Sequence, residues 1–368
     1  MLAPGQTTSS LIESVTFNPN ITIDSNCVTA NDNGLITKTC SSTGDSYDDA
    51  TYRLVFNIET VQYDKYKNAW DTTYDIGTTL ATTQLINNAN NINSDYDDET
   101  KYNMFVFDND DIRNYRYIGN DPNNYVYFNC SDDSDINTCE IWRIIGVFNM
   151  IDENGNMEPK IKIIKNNILD TYYAWNSDNI NEWSISSIND YLNDTYYSSM
   201  SSSSKTLLDD TNYYFGGIKW IDTNNHWGTT EVIYNNERGN NVYDQTRTKV
   251  WNGKLSLMYP SDNYYTYANG VDNECFLDPY NCSNGRLNGW IYNSNNKLGN
   301  QYLEITWTLT PNATSENYVF NIGSGGDLDS FNSSNERGIR PVAYLINNVK
   351  IESGTGESSS PYLLKKVG

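Results

Sequence analysis

The chain has 368 residues, with 47 Asp and Glu against 24 Lys and Arg, and a formal net charge of −23. That charge repels phosphate backbones and anionic lipid, and the densest basic stretch is only Lys160, Lys162 and Lys165, so no nucleic-acid partner is expected. A single His excludes a His-based metal cluster, whereas 30 Tyr, 9 Trp and 38% apolar residues suffice for folded cores.

Residues 1–25 read as polar and extended. Residues 15–17, 21–23, 35–37 and 51–58 read as strands, the last alternating Tyr52, Leu54, Phe56 and Ile58 on one face. Asn33-Gly34 and Thr43-Gly44 mark turns between them. Together they predict a small all-β module over residues 1–70, able to exchange or donate an edge strand in an assembly. The boundary is expected near residues 65–75, and a larger domain over 71–368.

That domain opens with one amphipathic helix over residues 78–93 (Leu80, Ala81, Gln84, Leu85 and Ile86) and an acidic loop at 94–101. Strands follow at 115–119, 124–128 and 141–148. A hairpin turn at Glu153-Asn154-Gly155-Asn156 precedes another strand at 159–164. A helix is predicted over 187–199, with Ile188, Tyr191, Leu192 and Tyr196 on one side, and a second short one over 205–211. Residues 306–311, 318–323 and 338–345 read as a compact closing hairpin around Gly323-Ser324-Gly325-Gly326-Asp327. Arg340, inside an apolar run, is expected to be tied to backbone carbonyls or to a carboxylate. The class is α+β, loop-rich, with few helices.

The six cysteines fall in local pairs: Cys27 with Cys40, Cys130 with Cys139, and Cys275 with Cys282. None forms the C-x-x-C of zinc ribbons or redox motifs. Three short-range disulfides are expected, and with them an extracellular or cell-surface location. No run of 18 apolar residues occurs, so no membrane span is expected in this chain. Met1-Leu2-Ala3-Pro4-Gly5 has neither region of a signal peptide, so any export signal or anchor is expected to have been removed.

Chemistry is thinly signalled. His226, in Asn224-Asn225-His226-Trp227-Gly228, is the sole imidazole and lacks a nucleophile elbow. Asp209, Asp210, Glu231, Glu237, Asp272 and Glu274 are carboxylates of the kind glycosidases pair, but nothing singles out two of them. Aromatic-rich acidic chains handle glycans through ring stacking and amide contacts, which favours sugar binding over sugar cleavage. Calcium is the cation most suited to such a chain, and Asp152-Glu153-Asn154-Gly155-Asn156 faintly resembles a calcium loop. It lacks the alternating acids and the distal Glu, and a hairpin turn is the expected reading.

Trp307-Thr308-Leu309-Thr310-Pro311, followed by Gly338-Ile339-Arg340-Pro341-Val342, resembles the W-L-[RST]-[ST]-P … G-[VI]-R-P-[VA] ending of secreted bacterial surface proteins of Firmicutes type. These carry a C-type-lectin-like domain of unknown function, often behind a pilin-like or signal-anchor segment. Residues 124–130, 139–148 and 251–262, together with Glu237-Arg238-Gly239 and the tail at 349–356 with Pro361-Tyr362, are similar to stretches of the same kind. The resemblance spans about residues 77–363. It implies a displayed, non-enzymatic scaffold: an adhesin or receptor-like module for a host or bacterial surface glycan or protein. The alternatives are a structural subunit of a pilus, filament or surface layer that self-associates and, less favoured, a glycan-active hydrolase. No E-P-N or Q-P-D occurs and Trp251-Asn252 runs into Gly253, so calcium-dependent sugar binding is not implied. No cofactor is expected beyond the open question of a structural calcium ion. The resemblance places a ligand face at residues 308–335, with Asn312, Asn317, Tyr318, Asn321, Asp327, Phe331, Asn332 and Asn335 as its binding residues and Ser315, Ser324 and Asp329 beside them.

Overall fold

A computed structural model describes residues 27–32, 35–40, 52–53, 79–90, 104–106, 114–151, 157–219, 227–267, 274–282, 289–293 and 305–367. The chain divides into two compact units, Met1–Thr78 and Thr79–Gly368. It is a mixed α+β protein, mostly sheet with few helices among the described residues.

In the first unit, β1 (Cys27–Asp32), β2 (Leu35–Cys40) and β3 (Tyr52–Arg53) form an antiparallel sheet in that order. The antiparallel register sets Asp32 opposite Leu35; the turn expected at Asn33-Gly34 lies outside the described residues. The same register sets Cys27 opposite Cys40. The side chains of that expected disulfide, and the strands expected at 15–17 and 21–23, lie outside the described residues.

The second unit holds β4 (Met104–Val106), β5 (Tyr115–Tyr117), β6 (Tyr125–Phe128), β7 (Glu140–Ile151) and β8 (Met157–Lys165), then β9 (Tyr173–Ala174), β10 (Thr211–Tyr214), β11 (Val250–Gly253) and β12 (Leu255–Ser256). It ends with β13 (Thr306–Pro311), β14 (Tyr318–Ile322), β15 (Leu328–Asn332), β16 (Glu336–Arg337), β17 (Val342–Tyr344), β18 (Val349–Ser353) and β19 (Tyr362–Lys366). The main sheet runs β12-β17-β8-β7-β6-β19-β18, and β5 pairs with both β4 and β7. All its pairs are antiparallel except β19 with β6.

β7 is its axis. Its first half pairs with β6 and its second half with β5, while β8 follows it along its length. Residues 142–148 are buried without alternation, as a strand covered on both faces must be. Gly146 marks the handover from β6 to β5, beside a register shift between Ile144 and Gly146 in the β8 pairing. A Cβ there would lie 2.0 Å from the Tyr115 carbonyl oxygen, so only glycine lets β5 approach.

The helix predicted at 187–199 is present as Ser187–Asp190, a π-helical centre Tyr191–Tyr196 and Tyr197–Ser199, capped by Ser186. Ile188, Leu192 and Tyr196 are buried along one side as expected. The helix expected at 78–93 is Ala81–Asn90, burying Ala81 and Leu85. Two expectations are corrected. Residues 205–211 are not a helix: a helix ends at Lys205 and Thr211 starts β10, whose backbone groups bond to β11. Nor do the C-terminal segments close as one hairpin. β13-β14-β15 form their own sheet, and β17 joins the main sheet between β8 and β12. Indole N–H groups anchor the small sheet, with Trp175 Nε1 donating to the Thr308 carbonyl at 3.1 Å and Trp307 Nε1 to that of Tyr173 at 3.0 Å. Arg340 is tied to carbonyls as expected, donating to those of Lys165 and Ile291 at 2.8 Å each.

Disulfides join Cys130 to Cys139 and Cys275 to Cys282. No helix among the described residues is long and apolar enough to cross a membrane.

The Gly146→Ala substitution is expected to destabilise the protein by about 3 kcal/mol or more, the upper end of overpacking costs, because the clash is with backbone. Urea denaturation would show it as a lowered midpoint, and an unchanged midpoint would contradict the tight β5–β7 approach.

Candidate functional site

One rung of the main sheet carries its most polar burial. Arg116 on β5 is opposite Gly146 on β7, Gly146 is opposite Lys162 on β8, and Lys162 is opposite Tyr344 on β17. Gly146 adds no side chain, so two cations share a buried row. Asp262 enters between them. It sits in the short helix Pro260–Tyr264, which starts on a proline suited to a first turn. Asp262 Oδ2 accepts from Lys162 Nζ and from the Tyr259 backbone N–H at 2.9 Å, and Oδ1 faces Arg116 Nη1 at 3.7 Å. All three side chains are essentially inaccessible.

Aromatic rings complete the enclosure. The Lys162 ammonium lies 4.7 Å from the Tyr259 ring centre and 5.3 Å from those of Phe148 and Tyr344. The Arg116 guanidinium lies 4.4, 4.6 and 5.2 Å from the ring centres of Tyr265, Phe148 and Tyr234. Its nitrogens make no hydrogen bond among the described residues, so ring faces and the Asp262 charge are its surroundings. Burial, opposed by Asp262, pushes the Lys162 amine down to about 8. Burial raises the Asp262 carboxyl, but Lys162 and Arg116 outweigh it and hold the group below the usual carboxylate range.

A second carboxylate docks the helix Thr230–Glu237 against this cluster. Glu237, fully buried, accepts from the Ser261 N–H at 2.9 Å, the Ser261 hydroxyl at 2.5 Å and Arg238 Nη1 at 3.0 Å. Burial pushes its carboxyl up against the pull of Arg238 and Ser261.

Beside this cluster lies a pocket of about 240 Å³. Phe148, Tyr214, Tyr234, Tyr259 and Tyr344 supply its rings, Asn114, Asn149 and Asn212 its amides, Met150 and Ile151 aliphatic surface, and Arg238 a cation. The Tyr259 hydroxyl donates to the Tyr214 carbonyl at 3.1 Å and accepts from its N–H at 2.7 Å. Asn114 Nδ2 donates to the Tyr234 hydroxyl at 3.0 Å, and Asn114 Oδ1 accepts from the Asn149 N–H at 3.0 Å. The lining is therefore held in place by its own bonds. Flat apolar rings beside amides and one guanidinium suit a small polar ring compound.

The face expected at 308–335 lies on β13-β14-β15 and their loops, and the structure divides its residues. Tyr318 and Phe331 are exposed, and Tyr318 is opposite Asn332. Asn317, Asp327, Asn332 and Asn335 are half-buried. Asn321 is corrected: it is fully buried, because β14 is covered on both sides from Val319 to Ile322. Asn312 is 5% exposed and structural, with Oδ1 accepting from the Thr314 N–H and hydroxyl at 2.8 and 2.7 Å and Nδ2 donating to Ser330 Oγ at 3.2 Å. Asn317 and Asn332 likewise accept from Ser315 and Ser334 in their own turns. Asn181 clamps this loop from behind, its Nδ2 lying 2.8 Å from the carbonyls of Ser315 and Tyr318, and Arg247 bonds in turn to Asn181.

Among the other candidates, Asp209 pairs with Lys160, Asp210 with Lys254 and Lys165 with Glu140. His226, Asp272, the Glu274 side chain and Asp152-Glu153-Asn154-Gly155-Asn156 lie outside the described residues. No group of three or more His, Cys, Asp and Glu that could hold a metal ion occurs among the described residues. The pocket was not visible to sequence reasoning as a site. Its one signal was that Glu237-Arg238-Gly239, the segment 251–262 and the segment 338–345 all stood out locally, and they converge here. No family profile, curated protein or solved structure matches the chain.

Burial raises the phenols of Tyr213, Tyr259, Tyr264 and Tyr344 well above their usual value of 10.0. The folded chain keeps these protons above pH 10 and the unfolded chain loses them. The stability they contribute is therefore complete below pH 10 and is lost as pH rises past it. Urea midpoints measured from pH 8 to 11.5 are expected to fall steeply beyond pH 10, whereas a flat profile would contradict the burial of these rings.

Proposed function

We propose that this chain is a non-enzymatic extracellular binding protein, an adhesin- or receptor-like module of a cell surface, and that its ligand is a saccharide seated in the pocket beside Arg238. The observation that carries the reading is the pocket lining, where the partly exposed rings of Tyr214 and Tyr234 offer stacking faces and Asn149 and Asn212 bring amide groups for hydroxyls, while Asn114 is spent on holding the lining. The two local disulfides suit an oxidising compartment. Binding is favoured over cleavage because Glu237 and Asp262, the carboxylates of the cluster, are fully buried and engaged by Ser261, Arg238, Lys162 and Arg116. The finer fold assignment, a C-type-lectin-like scaffold, rests on the C-terminal motifs. On the 308–335 face, the exposed rings of Tyr318 and Phe331 supply an accessory surface, since Asn312, Asn317 and Asn332 already serve their own turns.

Two variants separate the sites. Asn212 is exposed at the pocket rim, so Asn212→Trp blocks the pocket without touching the core. It is expected to weaken binding on a glycan array roughly tenfold or more. The triple variant Asn317→Ala, Tyr318→Ala, Asn332→Ala is expected to keep most binding. The reverse pattern would move the site to the 308–335 face, and no glycan binding by the unaltered protein would remove the saccharide reading.

A further inference from the structure

We infer that the sugar ring bound in this pocket carries a carboxylate, and that Arg238 recognises it; this rests on the saccharide reading above. Arg238 follows the helix Thr230–Glu237 as its C-cap, and its guanidinium carbon lies over the Tyr234 ring, 3.6 Å from the ring centre. Nη1 is occupied, donating to the Tyr234 carbonyl at 3.3 Å and to Glu237 Oε2 at 3.0 Å. Nε and Nη2 make no hydrogen bond among the described residues, although the side chain is only 22% exposed and lines the pocket. A guanidinium held over a ring with Nη1 engaged leaves Nε and Nη2, a donor pair that matches the two oxygens of a carboxylate.

Charge points the same way. Arg116, Lys162 and Arg238 stand against Asp262 and Glu237, leaving one positive charge uncompensated within the cluster. This surplus lies in a chain of net charge −23, so any attraction for an anion is local to the pocket rather than general. Lys162 feels Arg238 as a like charge, and an anion bound at Arg238 would relieve that repulsion. The volume of about 240 Å³ is below the roughly 300–1,000 Å³ of drug-sized sites, which suits one ring rather than an oligosaccharide. A uronate and a sialate share this chemistry.

Isothermal calorimetry on matched pairs tests the inference: methyl glucuronide against methyl glucoside, methyl galacturonide against methyl galactoside, and a methyl sialoside against its methyl ester. In at least one pair the acid is expected to bind roughly 10- to 100-fold tighter, the range of a charge-assisted bond. Which pair responds distinguishes uronate from sialate. The preference is expected to shrink as NaCl is raised and to disappear in Arg238→Gln. The salt series uses the unaltered protein, so it decides the matter even where Arg238→Gln does not fold. Equal binding of acid and neutral partner overturns the carboxylate inference and leaves the saccharide reading standing. Absence of binding by every probe overturns both. A preference that persists in folded Arg238→Gln overturns the role of Arg238.

Discussion

The ion triad of Asp262 with Lys162 and Arg116 is the constraint on which the second unit is arranged. Two cations on one sheet rung, separated only by Gly146, cannot be buried without an anion between them, since each loses its hydration on folding. Asp262 meets that need only if the helix Pro260–Tyr264 docks on the sheet at one place. Glu237 then ties the helix Thr230–Glu237 to the same spot through Ser261. One carboxylate thus fixes the docking of one helix and, through Ser261 and Glu237, the position of a second. Removing one partner from such a set leaves a buried charge unpaired, at a cost of about 3–5 kcal/mol, whereas an apolar replacement of the whole set is often neutral. The triad is therefore read as a device that selects one arrangement rather than as a large source of stability.

The pocket follows from that arrangement. Tyr259 caps the Asp262 helix, Tyr234 lies on the Glu237 helix, and Phe148 and Tyr344 sit on strands that flank Lys162. The rings that enclose the cations on one side line the pocket on the other. The tyrosine load of the sequence is thereby divided between shielding charge and presenting faces. The many asparagines divide as well, some to the pocket and many to loop reversals, as Asn312, Asn317 and Asn332 do.

Much of the fold was legible because it is local. The alternation and apolar runs around residues 115–164 correspond to β5 to β8, the four-residue spacing of Ile188, Leu192 and Tyr196 corresponds to a helix, and Arg340 bonds to carbonyls as its apolar setting implied. What was not legible is non-local. Thr308 to Pro311 and Val342 to Tyr344 look alike as buried strands, and only the anchoring tryptophans and the β8 register send them to different sheets. The pocket draws on residues from Asn114 to Tyr344, and Asp262 is one acid among 47 Asp and Glu, with nothing local to mark it as the one between two buried cations. The resemblance to lectin-like surface proteins put Asn321 on the ligand face, but strand β14 is covered on both sides and buries it.

The arrangement of the second unit turns on Lys162 being buried against Asp262 and enclosed by rings. The most direct measurement is the titration of Lys162 Nζ by nitrogen-detected NMR on the full chain, assigned through Lys162→Met. A midpoint of about 8 is expected, and a lower one in Asp262→Asn, where the amine keeps its burial and loses its anion. A midpoint near the ordinary 10.5, unmoved by Asp262→Asn, would contradict it.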